Sequence, residues 1–277
     1  MAVRNFAPAA FAAWDELTGA VAAATSIEQL EIAGVVARGS LDPAAAAAPR
    51  SDGMAFVEQM VVDVASMTPE LRAAGLAELG PDGPSFVLAV WVEDMRIRAG
   101  VALRETFGEE WHPNPTSVRI PPWEAHERFL LEVAKLSALE PVTSELVRLR
   151  GARAHDCRLC KSRRNVTAID LVGGFGLFED DVPSDLSEVQ ALALQVVDAF
   201  VWQPIRWPPD LGEEVVDVLG PAATAELVLD IVRNAANKIA VAFGADAPRV
   251  QTGVEFYDID MTTGELRYDV RPTVPNA

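Results

Sequence analysis

The spacing of apolar residues along the chain is predominantly that of α-helices. A helix over 56–65 would place five apolar residues on one face, Phe56, Val57, Met60, Val61 and Val64. The same periodicity predicts further helices over 85–103, 126–139, 144–154, 186–201 and 222–243. Clusters of Pro and Gly separate these segments, at 42–53, 80–84, 112–122 and 204–212. The pattern therefore predicts an all-α fold.

The C-terminal segment 254–270 has a different pattern. Its sequence, VEFYDIDMTTGELRYDV, alternates apolar and polar residues on both sides of Thr-Thr-Gly, which predicts a short β-hairpin. Two strands alone are barely stable in water unless they pack on other structure. We interpret the hairpin as an appendage to the helical body.

Two segments of the chain resemble each other. LGPDGPSFVLAVWVEDMRIRAGVAL (79–103) aligns without gaps on LGPAATAELVLDIVRNAANKIAVAF (219–243), and Leu-Gly-Pro opens both. This predicts two related helical halves, although a shared Ala- and Leu-rich composition is an alternative explanation. The predicted organisation is a helical half over 1–111, a linker with four prolines over 112–122, a second half with the cysteines over 123–250, and the hairpin and tail over 251–277.

Composition limits the classes of function. Half of the 277 residues are apolar, which is enough for a substantial core, and the net charge of −18 argues against a protein that binds nucleic acid by neutralising phosphates. The N-terminus does not fit a signal peptide, and no apolar run is long enough to cross a membrane. We expect a cytoplasmic protein, in which a Cys-x-x-Cys pair is more often redox-active or metal-binding than structural.

The chemistry of the sequence concentrates in the stretch ELVRLRGARAHDCRLCKSRR (145–164). It contains both cysteines and seven of the 23 Lys and Arg residues. Ser144 is a predicted N-cap for one helix, and Asp156 for a second helix that begins at Cys157. On that second helix Cys157, Cys160 and Arg164 would share one face. The helix N-terminus and the basic residues would lower the thiol pKa well below about 8.5 and favour the nucleophilic thiolate.

Other interpretations of this stretch remain open. The basic residues can form a solvated helix face, with the cysteines as buried apolar residues. A zinc site needs four ligands, and besides the cysteines only His155 is local. Asn234 and Asn237 lie on an otherwise apolar side of a predicted helix, where they either face a pocket or belong to the polar surface.

The residues 123–247 resemble the alkylhydroperoxidase AhpD / carboxymuconolactone decarboxylase family. The resemblance rests on Glu145 twelve positions before Cys157, on Cys160, and on the helices that follow. It implies an AhpD-like all-α bundle that forms homo-oligomers without a cofactor. It further implies that Cys160 attacks a hydroperoxide, that Cys157 resolves the product as a disulfide, and that Glu145 starts a proton relay. A dithiol donor or lipoylated protein partner would then reduce the disulfide.

The sequence departs from the family pattern at two positions. Characterised peroxidases of the family have His where this chain has Leu159 and Arg164. Arginine does not pass protons at neutral pH, but it can stabilise a thiolate or bind a substrate carboxylate. His155 is the nearest replacement for the missing relay. Two alternatives follow: a non-redox lyase or isomerase in which Arg164 holds a carboxylate and Glu145 or His155 moves protons, or a catalytically inactive helical interaction protein.

Overall fold

The structure is a computed structural model that describes residues 2–41, 51–109, 111–115, 119–179 and 183–274. Residues 116–118 of the predicted linker lie outside the described residues. Five α-helices precede this linker: α1 (Pro8–Ala24), α2 (Ile27–Leu41), α3 (Asp52–Asp63), α4 (Pro69–Leu79) and α5 (Gly83–Phe107). The helices described after it are α6 (Pro122–Ala134), α7 (Pro141–Ala154), α8 (Arg158–Lys161), α9 (Val166–Val172), α10 (Gly176–Glu179), α11 (Glu188–Trp202), α12 (Leu211–Leu219), α13 (Pro221–Asn234) and α14 (Asn237–Phe243). The strands are β1 (Arg163–Asn165), β2 (Glu255–Ile259) and β3 (Leu266–Arg267). The predicted all-α class with a short C-terminal hairpin is confirmed.

Helix α5 is the central element of the core. It is 25 residues long, and buried side chains occur around most of its circumference, as expected for a helix enclosed by others. It contacts α1, α2 and α3 from the first part of the chain and α11, α12, α13 and α14 from the second. The main core cluster accordingly extends from Val3 to Ala242. The two predicted halves therefore share one core, and their duplication remains a prediction.

The Leu-Gly-Pro repeats have the same local role in both places. Gly80 and Gly220 both have positive φ angles, 61° and 77°, and end α4 and α12 respectively. Glycine adopts this conformation without the steric cost of a Cβ atom, and the proline that follows suits the first turn of a new helix. Local helix termination is thus sufficient to account for this similarity.

Two of the helix boundaries that differ from the sequence-based expectation have a visible structural cause. The helix predicted over 222–243 is interrupted between α13 and α14, where the Trp91 indole N–H donates a 3.1 Å hydrogen bond to the Ala235 carbonyl. The predicted N-cap Ser144 lies inside α7, which begins at Pro141 because proline favours the first helical position. The Ser144 hydroxyl instead donates to Asp230 at 2.9 Å.

The C-terminal hairpin is part of the body of the protein, so our interpretation of it as an appendage is wrong. Strand β2 pairs antiparallel with β3 and parallel with β1, which the sequence did not predict. The parallel register aligns Arg163 with Glu255 and Asn165 with Tyr257. Strand β1 directly follows the cysteine segment, so the hairpin is fixed to that segment by main-chain hydrogen bonds.

Candidate functional site

The two cysteines form a disulfide at the end of α7. Their Cα atoms are 5.3 Å apart, and Cys157 is the N-cap of α8, where its sulfur accepts the Cys160 N–H at 3.2 Å. Cys157 is 1% exposed, whereas Cys160 is partly exposed. Asp156, at a positive φ of 53°, turns the chain from α7 into this segment. Cys160 is therefore the more exposed residue of the pair.

The prediction of a helix that begins at Cys157, includes Arg164 and has Asp156 as its N-cap is wrong. Helix α8 ends after four residues, and the Ser162 carbonyl accepts the Glu255 N–H at 2.8 Å as β1 begins. Pairing with β2 satisfies main-chain groups that a longer helix would have used. Arg164 consequently lies on a strand and does not share a helix face with the cysteines.

The basic residues next to the disulfide are largely neutralised. Three of them form ion pairs with carboxylates: Arg158 with Asp246, Lys161 with Asp156, and Arg163 with Glu255. These pairs reduce the positive potential that the cations alone would place at the sulfurs. The expected activation of a thiolate by uncompensated positive charge is therefore weaker than the sequence suggests.

Arg164 binds main-chain oxygens. Its Nη1 donates to the carbonyls of Lys161 and Arg163 at 2.7 and 2.8 Å. Its Nε is buried and has no hydrogen-bond partner among the described residues. Burial lowers the pKa of the Arg164 guanidinium below its ordinary value. Arg164 thus fixes the turn between α8 and β1.

Glu145 is buried in a saturated hydrogen-bond network. It is 2% exposed, and Arg148 donates to both of its oxygens at 2.7 Å. The Tyr257 hydroxyl donates to Oε2 at 2.8 Å, and the Asn165 N–H donates to Oε1 at 3.1 Å. Burial raises the pKa of Tyr257 above its ordinary value, so the phenol stays protonated as a donor. The carboxylate therefore has four donors, which matches its acceptor capacity.

Arg148 connects this network to the cysteine segment. Its Nη1 donates to the Cys160 carbonyl and its Nη2 to the Arg163 carbonyl, each at 2.8 Å. Burial opposes the charge on Arg148, but the adjoining Glu145 carboxylate outweighs it and holds the pKa of Arg148 above its ordinary value. Glu145 thereby acts on the main chain of Cys160 through a permanently charged arginine.

His155 lies in a different environment from the one expected of a proton relay. It is 7% exposed, and its Nδ1 is 2.7 Å from the Asn237 Oδ1, within hydrogen-bond distance. Burial, together with the charge on Lys238, lowers the pKa of His155 to about 3. The imidazole is therefore neutral near pH 7 and is a weak proton acceptor.

The charges around His155 form a buried cluster that crosses the core. Asp94 is 0% exposed and accepts from Arg98 and Lys238, each at 2.6 Å. Both cations also donate to the Val61 carbonyl, at 2.9 Å. The cluster ties α3, α5 and α14 together, which gives it a structural role.

A cavity of about 450 Å³ lies between α6, α7, α13 and the hairpin. Glu145, Arg148 and Tyr257 line it, together with Glu226 and Asp230 of α13. The two cysteines are absent from its lining. The structure thus places Glu145 at this cavity, and Arg148 joins it to the main chain of Cys160.

Sequence reasoning missed the residues that complete this arrangement. Arg148 stands three positions after Glu145, a spacing at which a helical ion pair is expected, so it was detectable. Tyr257 was not, because its contact depends on the parallel pairing of β1 and β2. Asn234 does line the cavity, whereas Asn237 contacts His155.

None of the helices in the described part of the chain combines the length and apolar character that a membrane span requires.

Comparisons with known proteins place the chain among mycobacterial relatives. No protein-family model and no solved structure matches it, so the resemblance to the AhpD family stays a prediction. "Uncharacterized protein MT2376" of Mycobacterium tuberculosis (strain CDC 1551 / Oshkosh) is 41% identical over 224 residues, covering 74% of this chain and 76% of that protein. "Uncharacterized protein Rv2313c" of strain ATCC 25618 / H37Rv has the same identity and coverage. At this identity and coverage, the chain belongs to the same family as these two proteins.

Proposed function

We propose that the protein is a thiol-dependent oxidoreductase in which Cys157 and Cys160 alternate between a disulfide and a dithiol. The observation that carries this proposal is the bonded pair of unequal exposure, in which Cys157 is buried and Cys160 is partly exposed. A disulfide between residues three apart closes a very short loop and gains the least stability from restricting the unfolded chain. A chemical role therefore explains the pair better than a structural one does.

The unequal exposure of the two cysteines supports the roles that the AhpD resemblance implies. The reduced Cys160 attacks one sulfur of a substrate disulfide and displaces the other as a thiolate. Cys157 then attacks the Cys160 sulfur, forms the internal disulfide and releases the second substrate thiolate. With a hydroperoxide, Cys160 takes the terminal oxygen as a sulfenic acid and releases an alcohol, and Cys157 displaces water.

Re-reduction needs two electrons from outside the chain. We assign this step to a dithiol, free or carried as a lipoyl group on a protein. The donor thiolate attacks Cys160, the accessible sulfur, and Cys157 leaves. The Cys160 N–H, 3.2 Å from the Cys157 sulfur, is placed to stabilise the leaving thiolate. The donor's second thiol then displaces Cys160 and closes the donor's own disulfide.

Charge compensation favours a disulfide over a hydroperoxide as the oxidising substrate. Thiol–disulfide exchange is fastest for a thiol whose pKa lies near the ambient pH, so it does not require the strongly lowered pKa that electropositive surroundings produce. Here Arg158, Lys161 and Arg163 are each paired with a carboxylate. Glu145 acts in this proposal as a positioning residue, through Arg148 and the Cys160 carbonyl.

The non-redox alternative has less geometric support. The four donors around Glu145 leave its carboxylate without a free acceptor site, and the low pKa of His155 makes it a weak base near pH 7. Arg164 directs its Nη1 to main-chain carbonyls. These contacts do not leave an obvious acid–base pair for a lyase or isomerase.

The test is turnover of the full chain with dihydrolipoamide as reductant and either oxidised glutathione or cumene hydroperoxide as oxidant. We expect wild-type turnover, faster with the disulfide, and loss of it in Cys160→Ser. Cys157→Ser should accumulate a glutathione adduct on Cys160, detectable by mass spectrometry. Full activity of Cys160→Ala would refute the proposal. An activity that survives replacement of both cysteines but not Arg164→Ala would favour the non-redox alternative.

A further inference from the structure

The cavity beside Glu145 has the dimensions of a ligand site. Its volume of about 450 Å³ lies within the range of about 300–1,000 Å³ that small-molecule sites occupy. One wall is α13, another is the start of α7, and the hairpin closes a third side. The cavity does not include the cysteines, so this inference is independent of the proposed thiol chemistry.

Charge on the cavity wall indicates the sign of the ligand. Three carboxylates are balanced by guanidinium groups: Glu145 by Arg148, Asp230 by Arg233, and Asp258 by Arg267. Glu226 and Asp260 also line the cavity, and no cation of the described residues forms an ion pair with Glu226. The wall therefore carries an excess of negative charge when its groups are ionised, which disfavours an anionic ligand.

Glu226 is the group that most needs a counter-charge. It is 5% exposed and accepts the main-chain N–H of Ala138. Asp230 lies one turn further along the same face of α13, and buried like charges at this spacing repel each other. Burial, reinforced by Asp230, raises the pKa of Glu226 to about 7. A bound cation would offset both the burial and the repulsion.

The remaining lining suits an organic molecule rather than a metal ion. Val133, Leu136, Leu139 and Met261 present apolar surface to the cavity. Asn234, whose side-chain nitrogen is buried, also lines the cavity.

We propose that this cavity binds a small organic amine whose ammonium group lies against Glu226 and Asp230 and whose apolar body packs on Leu136 and Leu139. The excess of carboxylates in the wall repels acids of the same shape, so the cavity should discriminate against them.

The test is isothermal titration calorimetry of the full chain with two amines, tyramine and hexylamine, and their uncharged and acidic counterparts. Tyrosol and hexanol replace the ammonium by a hydroxyl, and hydroxyphenylpropionate and hexanoate replace it by a carboxylate. We expect at least one amine to bind at least about tenfold more tightly than its alcohol and acid. Glu226→Gln should weaken that binding about tenfold or more, because it keeps the shape but removes the charge.

Two further variants keep the test decisive. Glu214→Gln, at an exposed position of α12, is the matched control and should bind the amine within about twofold of wild type. Ser137→Trp places a bulky side chain at an exposed position of the cavity lining and should also weaken binding. Circular dichroism establishes that each variant is folded, and Asp230→Asn replaces Glu226→Gln if the latter is not.

The proposal is overturned by any of three results. The first is that an acid binds more tightly than its amine. The second is that neither Glu226→Gln nor Ser137→Trp changes the affinity for the amine. The third is that neither amine shows saturable binding up to about 10 mM.

Discussion

Tyr257 donates a 2.8 Å hydrogen bond to Glu145, a residue 112 positions earlier in the chain. Removing the hydroxyl with Tyr257→Phe leaves a buried carboxylate one donor short. We expect a loss of about 1–3 kcal/mol in the free energy of unfolding, measured by urea denaturation. Tyr257 is 5% exposed, so its hydroxyl is largely screened from bulk solvent.

Tyr268→Phe is the matched control for this change. The guanidinium groups of Arg163 and Arg249 lie over the face of the Tyr268 ring, and phenylalanine retains this interaction. We expect a change within about 0.5 kcal/mol. Equal effects of the two substitutions would show that the Tyr257 hydroxyl does not stabilise the network.

His126 makes the stability of the protein depend on pH. Burial lowers the pKa of His126 to about 4, while an unfolded histidine titrates near about 6.5. As pH falls through this window the unfolded state takes up the proton first, so the folded state loses up to about 1.4 kcal/mol per pH unit. The stability that comes from keeping His126 buried and neutral is therefore fully present above the unfolded pKa of about 6.5, and it is lost as the pH falls to about 4.

The substitution His126→Phe should remove that dependence. In the wild type the ring centroids of His126 and Trp91 are 4.9 Å apart in an edge-on contact, which phenylalanine preserves. Phenylalanine also removes the His126 Nε2, which has no hydrogen-bond partner among the described residues. The stability of the variant relative to wild type should therefore rise by about 2 kcal/mol between pH 6.5 and pH 5. Urea unfolding at several pH values measures this difference, in which the titrations of other groups cancel. A difference that does not change with pH would contradict the buried neutral state of His126.

The two thiols should differ in reactivity once the disulfide is reduced. In Cys157→Ser the remaining Cys160 is partly exposed, whereas in Cys160→Ser the remaining Cys157 is 1% exposed in the wild-type structure. We expect a chromogenic aromatic disulfide to react with the former about tenfold or more faster. Denatured samples of both variants provide the control, since both thiols should then react at similar rates. Equal rates in the folded proteins would contradict the assignment of Cys160 as the attacking thiol.

Gly264 fixes the hairpin against α6. Its φ is +80°, and a Cβ atom there would overlap the Leu131 carbonyl oxygen. We expect Gly264→Ala to destabilise the protein by about 2 kcal/mol or more and to speed amide hydrogen exchange in β2. Gly253, at φ +77° with open space around it, is the matched control. Its alanine variant should show only the backbone cost of about 1 kcal/mol. Similar losses in both variants would mean that contact with Leu131 is unimportant.

Helical periodicity was sufficient to predict the all-α class and several of the helices, but not α1, α2, α4 and α12. The pattern over 56–65 and 85–103 corresponds to α3 and α5, because apolar side chains of a buried helix must repeat with its turn. It failed where tertiary contacts interrupt a helix. The break at Ala235 depends on the Trp91 indole, which comes from a distant segment.

The site was less predictable than the fold. Local residue types identified the cysteine segment and Glu145, and the three-residue spacing of Glu145 and Arg148 indicates the ion pair between them. Strand β1 was missed because three residues with two arginines have no strand periodicity of their own and depend on β2 for their conformation. Glu226 was missed because its burial follows from how α13 packs, which local sequence does not specify.

The parallel pairing of β1 with β2 has a consequence for the order of assembly during synthesis. A ribosome produces the cysteine segment about 90 residues before the strand that pairs with it, as the register of Arg163 with Glu255 requires. Until β2 emerges, Glu145 lacks Tyr257, one wall of the cavity is missing, and the main chain of β1 has no partner. The nascent chain would therefore carry two thiols next to a strand that is not yet paired. A truncated product that ends before residue 255 would never form the pairing of β1 with β2.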